Sequence, residues 1–318
     1  MFKWWSRKVT PVFLWLSLML FTSPVYAAAE STAAAGGADW PWWFWPLVLL
    51  VFCFVLGILA VLAGVGGGVL YVPLVSAFFP FHLDFVRGAG LFVALAGALM
   101  AGPGLLRRGL ASLRLALPVA LIASTFAIIG AFIGLSLPTT IVQILLGATI
   151  IFIAVLLLLS KNVEYPVVTK QDAVGLALGM YGSYIEETSG KIYEYKTHRT
   201  WAGLLIFVLI GLVAGMFGLG AGWANIPVLN LLMGAPLKIS VATSKFLLSI
   251  TDTSAAWVYL NKGGIIPLVA IPSIVGLMLG SLVGVKILAR AKPAAIRYIV
   301  IAVLLFAGVR ALLKGLGI

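Results

Sequence analysis

Two ionisable side chains, Lys245 and Asp252, interrupt a long apolar stretch of the sequence. Their spacing places them on one face of a helix, together with Ser249 and Tyr259. A cation inside a membrane span costs about 3 kcal/mol on insertion scales, so Lys245 indicates a function, and an anion is its natural partner. Asp252 has two interpretations: a site that takes a proton or helps to bind Na⁺ during transport, or a structural ion pair with Lys245.

A glycine-rich motif that occurs twice is the second candidate element of a binding site. The copies are Gly64–Pro73 and Gly218–Pro227, and each interrupts an apolar stretch. The glycines assigned to the site are Gly64, Gly66, Gly67, Gly68, Gly218, Gly220 and Gly222. A helix that resumes after such a break presents unpaired N–H groups and the positive end of its dipole, which bind anions. The alternative is close helix packing through small residues.

Further polar side chains lie where they could contact an oxyanion. Tyr71 and Asn225 occupy the same position after the two glycine runs, and both side chains form hydrogen bonds. Thr243 and Ser244 directly precede Lys245, which makes this stretch the most polar of the apolar segments. The sequence therefore predicts that these residues line the substrate site.

Arg87 is a second cation close to the start of an apolar segment. In the repeat described below, Arg87 corresponds to Val241 and Lys245 to Leu91, so the two cations lie one helical turn apart in equivalent helices. Arg87 is therefore a candidate substrate ligand. The alternative is that its side chain reaches the membrane interface or pairs with Asp84.

Composition defines the class of protein. The chain has 318 residues, of which 63% are hydrophobic and 9% are charged, whereas soluble domains average about 25% charged residues. The net charge of +12 lies mostly in short loops, which indicates membrane orientation rather than nucleic-acid binding. The single cysteine and two widely spaced histidines form no metal-ligand pattern, so we expect neither a metal nor another cofactor.

The repeat extends far beyond the glycine motif. Pro73 and Pro227 lie 154 positions apart, and the same offset relates further pairs: Leu83 and Leu237, Gly109 and Gly263, Pro118 and Pro272, Gly130 and Gly284, and Phe152 and Phe306. A repeat of this length predicts two copies of one membrane unit, 46–160 and 200–318. Each copy contains five apolar segments, with the following approximate bounds: 46–63, 68–80, 84–106, 113–137 and 139–160, then 200–217, 222–234, 238–260, 265–289 and 295–314.

The second segment of each copy is too short to cross the membrane as a simple helix, because a crossing needs about 20 residues. Each of these segments follows glycines and contains a proline, so we predict half-helices or kinked helices. Five crossings per copy is an odd number, which gives the copies opposite orientations and predicts an inverted repeat. Most loop cations then lie in the cytoplasm, with Lys262, Arg310 and Lys314 as exceptions.

The remaining segments flank the two copies. Residues 1–27 have a basic start, an apolar core and a small-residue cleavage site, which predicts a cleaved signal peptide; the alternative is an uncleaved anchor with the same orientation. Residues 28–45 are an extracytoplasmic linker that ends in a tryptophan cluster typical of the lipid–water interface. The cytoplasmic loop 161–199 contains two alternating stretches around 187–190, which indicate a β-hairpin.

These features resemble the TauE/SafE family of sulfite and organosulfonate exporters. The match lies in Gly64–Pro73, in Gly218–Pro227, in the run Ala242-Thr243-Ser244 and in the Lys262-Gly263 turn, and it covers residues 46–318. The resemblance implies a permease for sulfite or other sulfur-containing anions. The first copy has Arg87-Gly88-Ala89-Gly90 where the second has Val241-Ala242-Thr243-Ser244, so the two half-sites cannot bind a ligand identically.

We therefore predict an all-α polytopic protein of the bacterial cytoplasmic membrane that moves a small anion, most directly sulfite or an organosulfonate, by alternating access between the two copies. Its predicted partners are the anion, the lipid bilayer and a second copy in a homodimer, with no nucleic acid. An enzyme is disfavoured because no hydrolase motif is present in the sequence. The alternative function is a membrane anchor or assembly subunit that docks partners through the 161–199 loop.

Overall fold

The computed structural model describes residues 41–63, 66–107, 109–159, 166, 168, 170–185, 192–288 and 293–317. The predicted signal peptide, most of the 28–45 linker, Gly64 and the tip of the predicted hairpin lie outside the described residues. The fold is built almost entirely from helices that are numbered here in chain order.

The first half contains five helices with bounds close to the predicted segments. They are α1 (Phe44–Ala63), α2 (Gly67–Phe78), α3 (Leu83–Arg107), α4 (Leu113–Ser136) and α5 (Thr139–Leu159). Helix α2 has only 12 residues and contains Pro73. Its length confirms the prediction of a segment too short to cross the membrane as a full helix.

A small hairpin follows the first half. After the short helix α6 (Ala173–Ala177), strands β1 (Tyr181–Ile185) and β2 (Ile192–Lys196) pair in antiparallel register, which confirms the predicted hairpin. The phenol of Tyr195 is buried against the start of α4, and this burial raises its pKa, although a hydrogen bond to Ser112 and the charge of Arg114 act in the opposite direction. Tyr195 therefore connects the hairpin to the membrane helices.

The second half repeats the order of the first. It comprises α7 (Thr200–Phe217), α8 (Gly222–Pro227), a π-helical segment (Val228–Leu232), α9 (Leu237–Asn261), α10 (Pro267–Leu288) and α11 (Pro293–Leu316). The predicted half-helix is thus an α-helical turn ending at Pro227 that continues as π-helix. Proline has no N–H to donate, and the change of helix type at Pro227 is consistent with that loss.

Six of the described helices are long and apolar enough to cross a membrane: α1, α3, α4, α5, α7 and α10. Helix α9 has 25 residues, which is sufficient length, but its serine, threonine, lysine and aspartate residues make it more polar than these six. The protein is therefore a multi-pass membrane protein, and its most polar helix is the one that carries Lys245 and Asp252.

The two halves pack through pairs of contacts related by the repeat offset. Gly57 in α1 lies against the Leu277 backbone in α10, and the equivalent Gly211 in α7 lies against the Ala123 backbone in α4. Added methyl groups would collide with a carbonyl oxygen at both glycines. Successive contacts run in the same direction along both helices of each pair, so α1 is parallel to α10 and α4 is parallel to α7.

Two further pairs between the halves are antiparallel. Gly88, near the start of α3, packs against Gly264, just beyond the end of α9. In the same way, Gly308 in α11 packs against Ile150 in α5, whereas Gly315 packs against Ile144. Equivalent helices of the two halves, α3 with α9 and α5 with α11, therefore run in opposite directions.

Each short helix returns toward the start of the helix before it. Phe79, which follows α2, has its ring 6.0 Å from that of Trp45 and 5.1 Å from that of Phe52, both in α1. In the second half, the carbonyl of Met233 accepts a hydrogen bond from the His198 N–H just before α7 (3.1 Å). The half-helices thus end beside the starts of α1 and α7, and their N-termini lie inside the bundle.

The basic residues that depart from the predicted charge distribution have local partners. Lys314 donates a hydrogen bond to the Ser76 carbonyl in the last turn of α2 (3.2 Å), and the Arg310 guanidinium lies 4.7 Å from the centre of the Phe78 ring. Cations at a helix C-terminus are stabilised by the helix dipole and by unpaired carbonyls. Lys262 lies 6.0 Å from the centre of the Phe132 ring.

Candidate functional site

The two glycine breaks meet each other in the interior of the bundle. A methyl group on Gly222 would lie 3.9 Å from the Gly66 Cα, and one on Gly68 would lie 2.6 Å from the Leu219 carbonyl oxygen. The methyl group on Gly68 would also lie 3.0 Å from Ala94 Cβ. Ala94 is close to the middle of α3, so the meeting point lies at half the depth of that helix.

Glycine is required at this point by backbone conformation as well as by space. Gly218 caps the C-terminus of α7 with a φ of 67°, and Gly220 has a φ of 69°. Both values lie in the left-handed region that side chains with a Cβ rarely adopt. A methyl group on Gly220 would also lie 2.9 Å from Ala94 Cβ and 3.2 Å from an Asp252 carboxylate oxygen.

The N-termini of the two half-helices converge at these breaks. Helix α2 begins at Gly67 and α8 at Gly222, and the residues that precede them, Gly66 and Ala221, provide no side-chain hydrogen bond to the first turn. The first N–H groups of a helix have no partner within the helix and carry the positive end of its dipole. Two such ends therefore face one region at mid-depth.

Polar side-chain atoms without hydrogen-bond partners accumulate around the breaks. Among the described residues, the buried atoms of this kind include both amide atoms of Asn225, the hydroxyl of Ser244, both carboxylate oxygens of Asp252 and the indole N–H of Trp223. Buried polar atoms are paired in the great majority of cases. Such a concentration makes this region the candidate ligand site.

Helix α9 supplies one wall of this region. Ser244, Leu248 and Asp252 are spaced four residues apart, so they share one face of the helix. Leu248 lies 3.4 Å or less from methyl groups built on Gly220 and Gly222, so this face is turned toward the second glycine break. The Thr251 hydroxyl beside Asp252 donates to the Leu247 carbonyl (2.9 Å) and leaves the carboxylate oxygens available.

Lys245 is partly buried and interacts electrostatically with Asp252. Within the described part of the chain, the direct ion pairs involve Asp84 and not these two residues. The contact ion pair that was one interpretation of Asp252 is therefore not formed. The two groups nevertheless lie close enough for each charge to act on the other.

Two predicted site residues have protein partners instead. The Tyr71 hydroxyl accepts a hydrogen bond from Ser273 in α10 (3.2 Å), and the Thr243 hydroxyl accepts one from the Ser112 N–H at the start of α4 (3.1 Å). Tyr71 thus differs from its repeat partner Asn225, whose amide atoms have no partner. Their roles as substrate ligands remain predictions.

Arg87 is fully buried and makes the contact with Asp84 that was its alternative interpretation. Its guanidinium also donates to the carbonyls of Gly134 (3.1 Å) and Met216 (2.8 Å). A substrate role for Arg87 remains a prediction, and the contacts that the structure shows are with the protein itself.

Sequence reasoning missed Trp223. Its indole directly follows Gly222, is buried to 7% exposure, and has an N–H donor without a partner. The position of a tryptophan one residue after a helix break is the signal that could have identified it.

No group of three or more histidine, cysteine, aspartate or glutamate side chains is placed to hold a metal among the described residues.

Comparison with known proteins agrees with this architecture. The Bacillus subtilis (strain 168) protein named "Probable membrane transporter protein YunE" is 22% identical over 277 residues, which cover 85% of this chain and 98% of that protein. No solved structure matches the chain. The model of the family described as Sulfite exporter TauE/SafE matches residues 49–311, which include both glycine breaks and every helix that forms the candidate site. The chain therefore belongs to the sulfite exporter TauE/SafE family.

Proposed function

We propose that this membrane transporter exports a small anion, most directly sulfite or an organosulfonate, through a site between the two glycine breaks. The observation that carries the proposal is the convergence of two uncapped half-helix N-termini beside buried polar atoms that have no partner. The description of the family and the name of the bacterial relative support transport, and sulfite is the substrate that the family description names.

The anion binds by backbone hydrogen bonds and by one positive charge. Sulfite presents three oxygen acceptors, and the first N–H groups of α2 and α8 supply donors from opposite sides. The side chains of Asn225 and Ser244 add donors that have no other partner. Lys245 offsets the charge of the anion, which reduces the cost of holding it at mid-depth.

Asp252 couples anion movement to a cation. An ionised carboxylate beside Gly220 repels a bound anion, because like charges at close range in a medium of low polarity interact strongly. A proton on Asp252, or Na⁺ bound by it, removes this repulsion. The sequence contains no phosphate-loop motif for ATP, so an ion gradient or the gradient of the anion itself drives transport.

The two halves form an inverted repeat that alternates access to the site. The antiparallel packing of α3 with α9 and of α5 with α11 supports this proposal, as do the contacts related by the repeat offset. In such transporters the halves rock against each other around a site at the midplane. The predicted cytoplasmic position of the 161–199 loop then places the junction of α3 and α4 inside and the start of α3 outside.

Radiolabelled sulfite flux into proteoliposomes tests the proposal, with and without an imposed pH gradient. We expect flux above empty liposomes that increases with the gradient. Ser244→Ala is expected to raise the KM for sulfite about three- to tenfold, the range that corresponds to one lost hydrogen bond. The matched control is Ser254→Ala on the same helix, because the Ser254 hydroxyl bonds only to the Ile250 carbonyl of its own helix (2.9 Å).

The absence of flux with sulfite and with larger sulfonates would contradict the proposal. Equal KM values for Ser244→Ala and Ser254→Ala would show that the Ser244 face of α9 does not contact the anion. Stable co-purification of a partner in the absence of flux would instead favour the membrane anchor.

A further inference from the structure

Arg87 and Tyr259 converge on the last carbonyl groups of α7. The Arg87 guanidinium donates to the Met216 carbonyl (2.8 Å), and the Tyr259 hydroxyl donates to the carbonyls of Met216 (3.0 Å) and Gly215 (3.2 Å). The guanidinium carbon lies 5.8 Å from the centre of the Tyr259 ring. Both residues are fully buried, so each of these hydrogen bonds is shielded from water.

These contacts join four helices from both halves of the protein. Arg87 belongs to α3 and also binds the Gly134 carbonyl near the end of α4 (3.1 Å), whereas Met216 belongs to α7 and Tyr259 to α9. Asp84 pairs with the guanidinium and holds it in place. The ends of α4, α7 and α9 and the start of α3 are thus tied together at one end of the bundle.

The tie is directly connected to the second glycine break. Met216 is two residues before Gly218, and the backbone of Gly218 packs against the backbone of Arg87 so closely that a methyl group there would collide with it. Any movement that separates α7 from α3 at this end must break the hydrogen bond from Arg87 to Met216, and one that separates α7 from α9 must break the bond from Tyr259. The same movement opens a path to Gly220 and Leu248.

We infer that Arg87 and Tyr259 form a latch that closes this end of the bundle over the anion site. The inference rests on the proposed function, because a transporter needs one closed end at a time. The latch residues are positioning residues, since their hydrogen bonds run to protein carbonyls. The proposed orientation places the latch on the extracytoplasmic side, where export requires it to open.

Among the described residues, the positions equivalent to the latch at the opposite end of the bundle cannot form the same contacts. The repeat partners of Arg87 and Tyr259 are Val241 and Leu105, which cannot donate hydrogen bonds from their side chains. The two ends therefore differ: side-chain hydrogen bonds to buried carbonyls tie the helices together at one end, and the equivalent positions at the other end cannot provide them. This asymmetry predicts that substitutions in the latch change access from one side only.

Thiol labelling measures access directly. Leu248→Cys introduces a reporter thiol beside Gly220 and Gly222. The background carries Cys53→Ala, which removes the only native cysteine. A membrane-impermeant maleimide is applied to vesicles of each orientation, and the labelling rate is recorded for the Tyr259→Phe and Arg87→Lys variants. The control is Thr253→Val, which removes a hydroxyl that bonds within α9 alone (2.6 Å to the Ser249 carbonyl).

Tyr259→Phe removes the hydroxyl proton that the Met216 and Gly215 carbonyls share and keeps the ring, so we expect labelling from the latch side to rise about tenfold. Arg87→Lys keeps a charge near Asp84 but loses the planar guanidinium, in which Nη1 donates to two carbonyls while Nη2 pairs with Asp84, and we expect a rise of similar size. Labelling from the other side should not rise, and Thr253→Val should match the parent.

Unchanged labelling in both latch variants would overturn the inference, as would an equal rise from both sides, which would indicate general loosening. Labelling needs no substrate, so its result is independent of the flux assay. If the protein transports sulfite but the latch variants label at the parent rate, only the latch inference is contradicted. If labelling rises from one side only but no sulfite flux is measured, the latch inference is supported and the proposed substrate is contradicted.

Discussion

Replacement of Gly68 by alanine isolates the contact between the two glycine breaks. The added methyl group would lie 2.6 Å from the Leu219 carbonyl oxygen, whereas ordinary contacts begin at 3.4 Å, so the breaks must separate by about 0.8 Å. At the neighbouring Gly66 an added methyl group meets nothing within 4 Å, and the φ of −64° suits any residue. Gly66→Ala is therefore a matched control.

The magnitude follows from this overlap. Forcing one extra methyl group into a well-packed region costs about 1–3 kcal/mol. Displacement of a site by about 1 Å can cost about a hundredfold in rate, because binding groups no longer reach the same ligand atoms. We therefore expect Gly68→Ala to lower sulfite flux about 10- to 100-fold, with Gly66→Ala within about twofold of wild type.

Initial rates of sulfite uptake into proteoliposomes, normalised to reconstituted protein, give this comparison. Alanine favours helix more than glycine does, so a loss of flux in Gly68→Ala cannot be assigned to helix propensity. Thermal unfolding of both variants in detergent checks that the fold is retained. Equal flux for Gly68→Ala and Gly66→Ala would refute the argument that close approach of the two breaks forms the site.

Three further predictions concern the charged and polar side chains of the site. Lys245→Ala should lower sulfite flux at least tenfold, because it removes the cation that offsets the anion in the proposed site, while alanine in place of the exposed Lys170 should leave flux unchanged; both are measured in proteoliposomes. Asp252→Asn should retain flux but lose its response to a pH gradient, and a preserved response would assign coupling elsewhere. Asn225→Leu should raise the KM about tenfold or more by removing hydrogen bonds to the anion, and an unchanged KM would exclude Asn225 as a ligand.

Much of the fold follows from local sequence patterns. Long apolar runs between short polar loops determine where helices begin and end, which is why the predicted segments agree closely with α1 to α5 and α7 to α11. The half-helices were predictable from Pro73 and Pro227, which follow paired glycine runs. The hairpin was predictable because Tyr184 and Tyr193 lie in alternating stretches on either side of a turn.

The partners of individual polar groups depend on tertiary contacts that no local pattern encodes. Tyr71 and Asn225 occupy equivalent positions, yet only Tyr71 meets a hydroxyl, since Ser273 has a valine as its repeat partner. The Arg87 side chain lies near Met216 because α3 crosses the end of α7, a contact 129 residues apart in sequence. Sequence symmetry therefore identified the two glycine breaks that meet in the structure, but it could not show which of the polar side chains around them have protein partners.

Location of a bound anion tests the central claim most directly. Selenite has the same pyramidal shape as sulfite and a strong anomalous scattering signal, so a crystal of the protein with selenite can reveal its position. We predict one anomalous peak between the first turns of α2 and α8, within hydrogen-bond distance of Asn225 or Ser244. A peak confined to the surface cleft that Arg114 and Lys196 line, with none between the glycine breaks, would contradict the account.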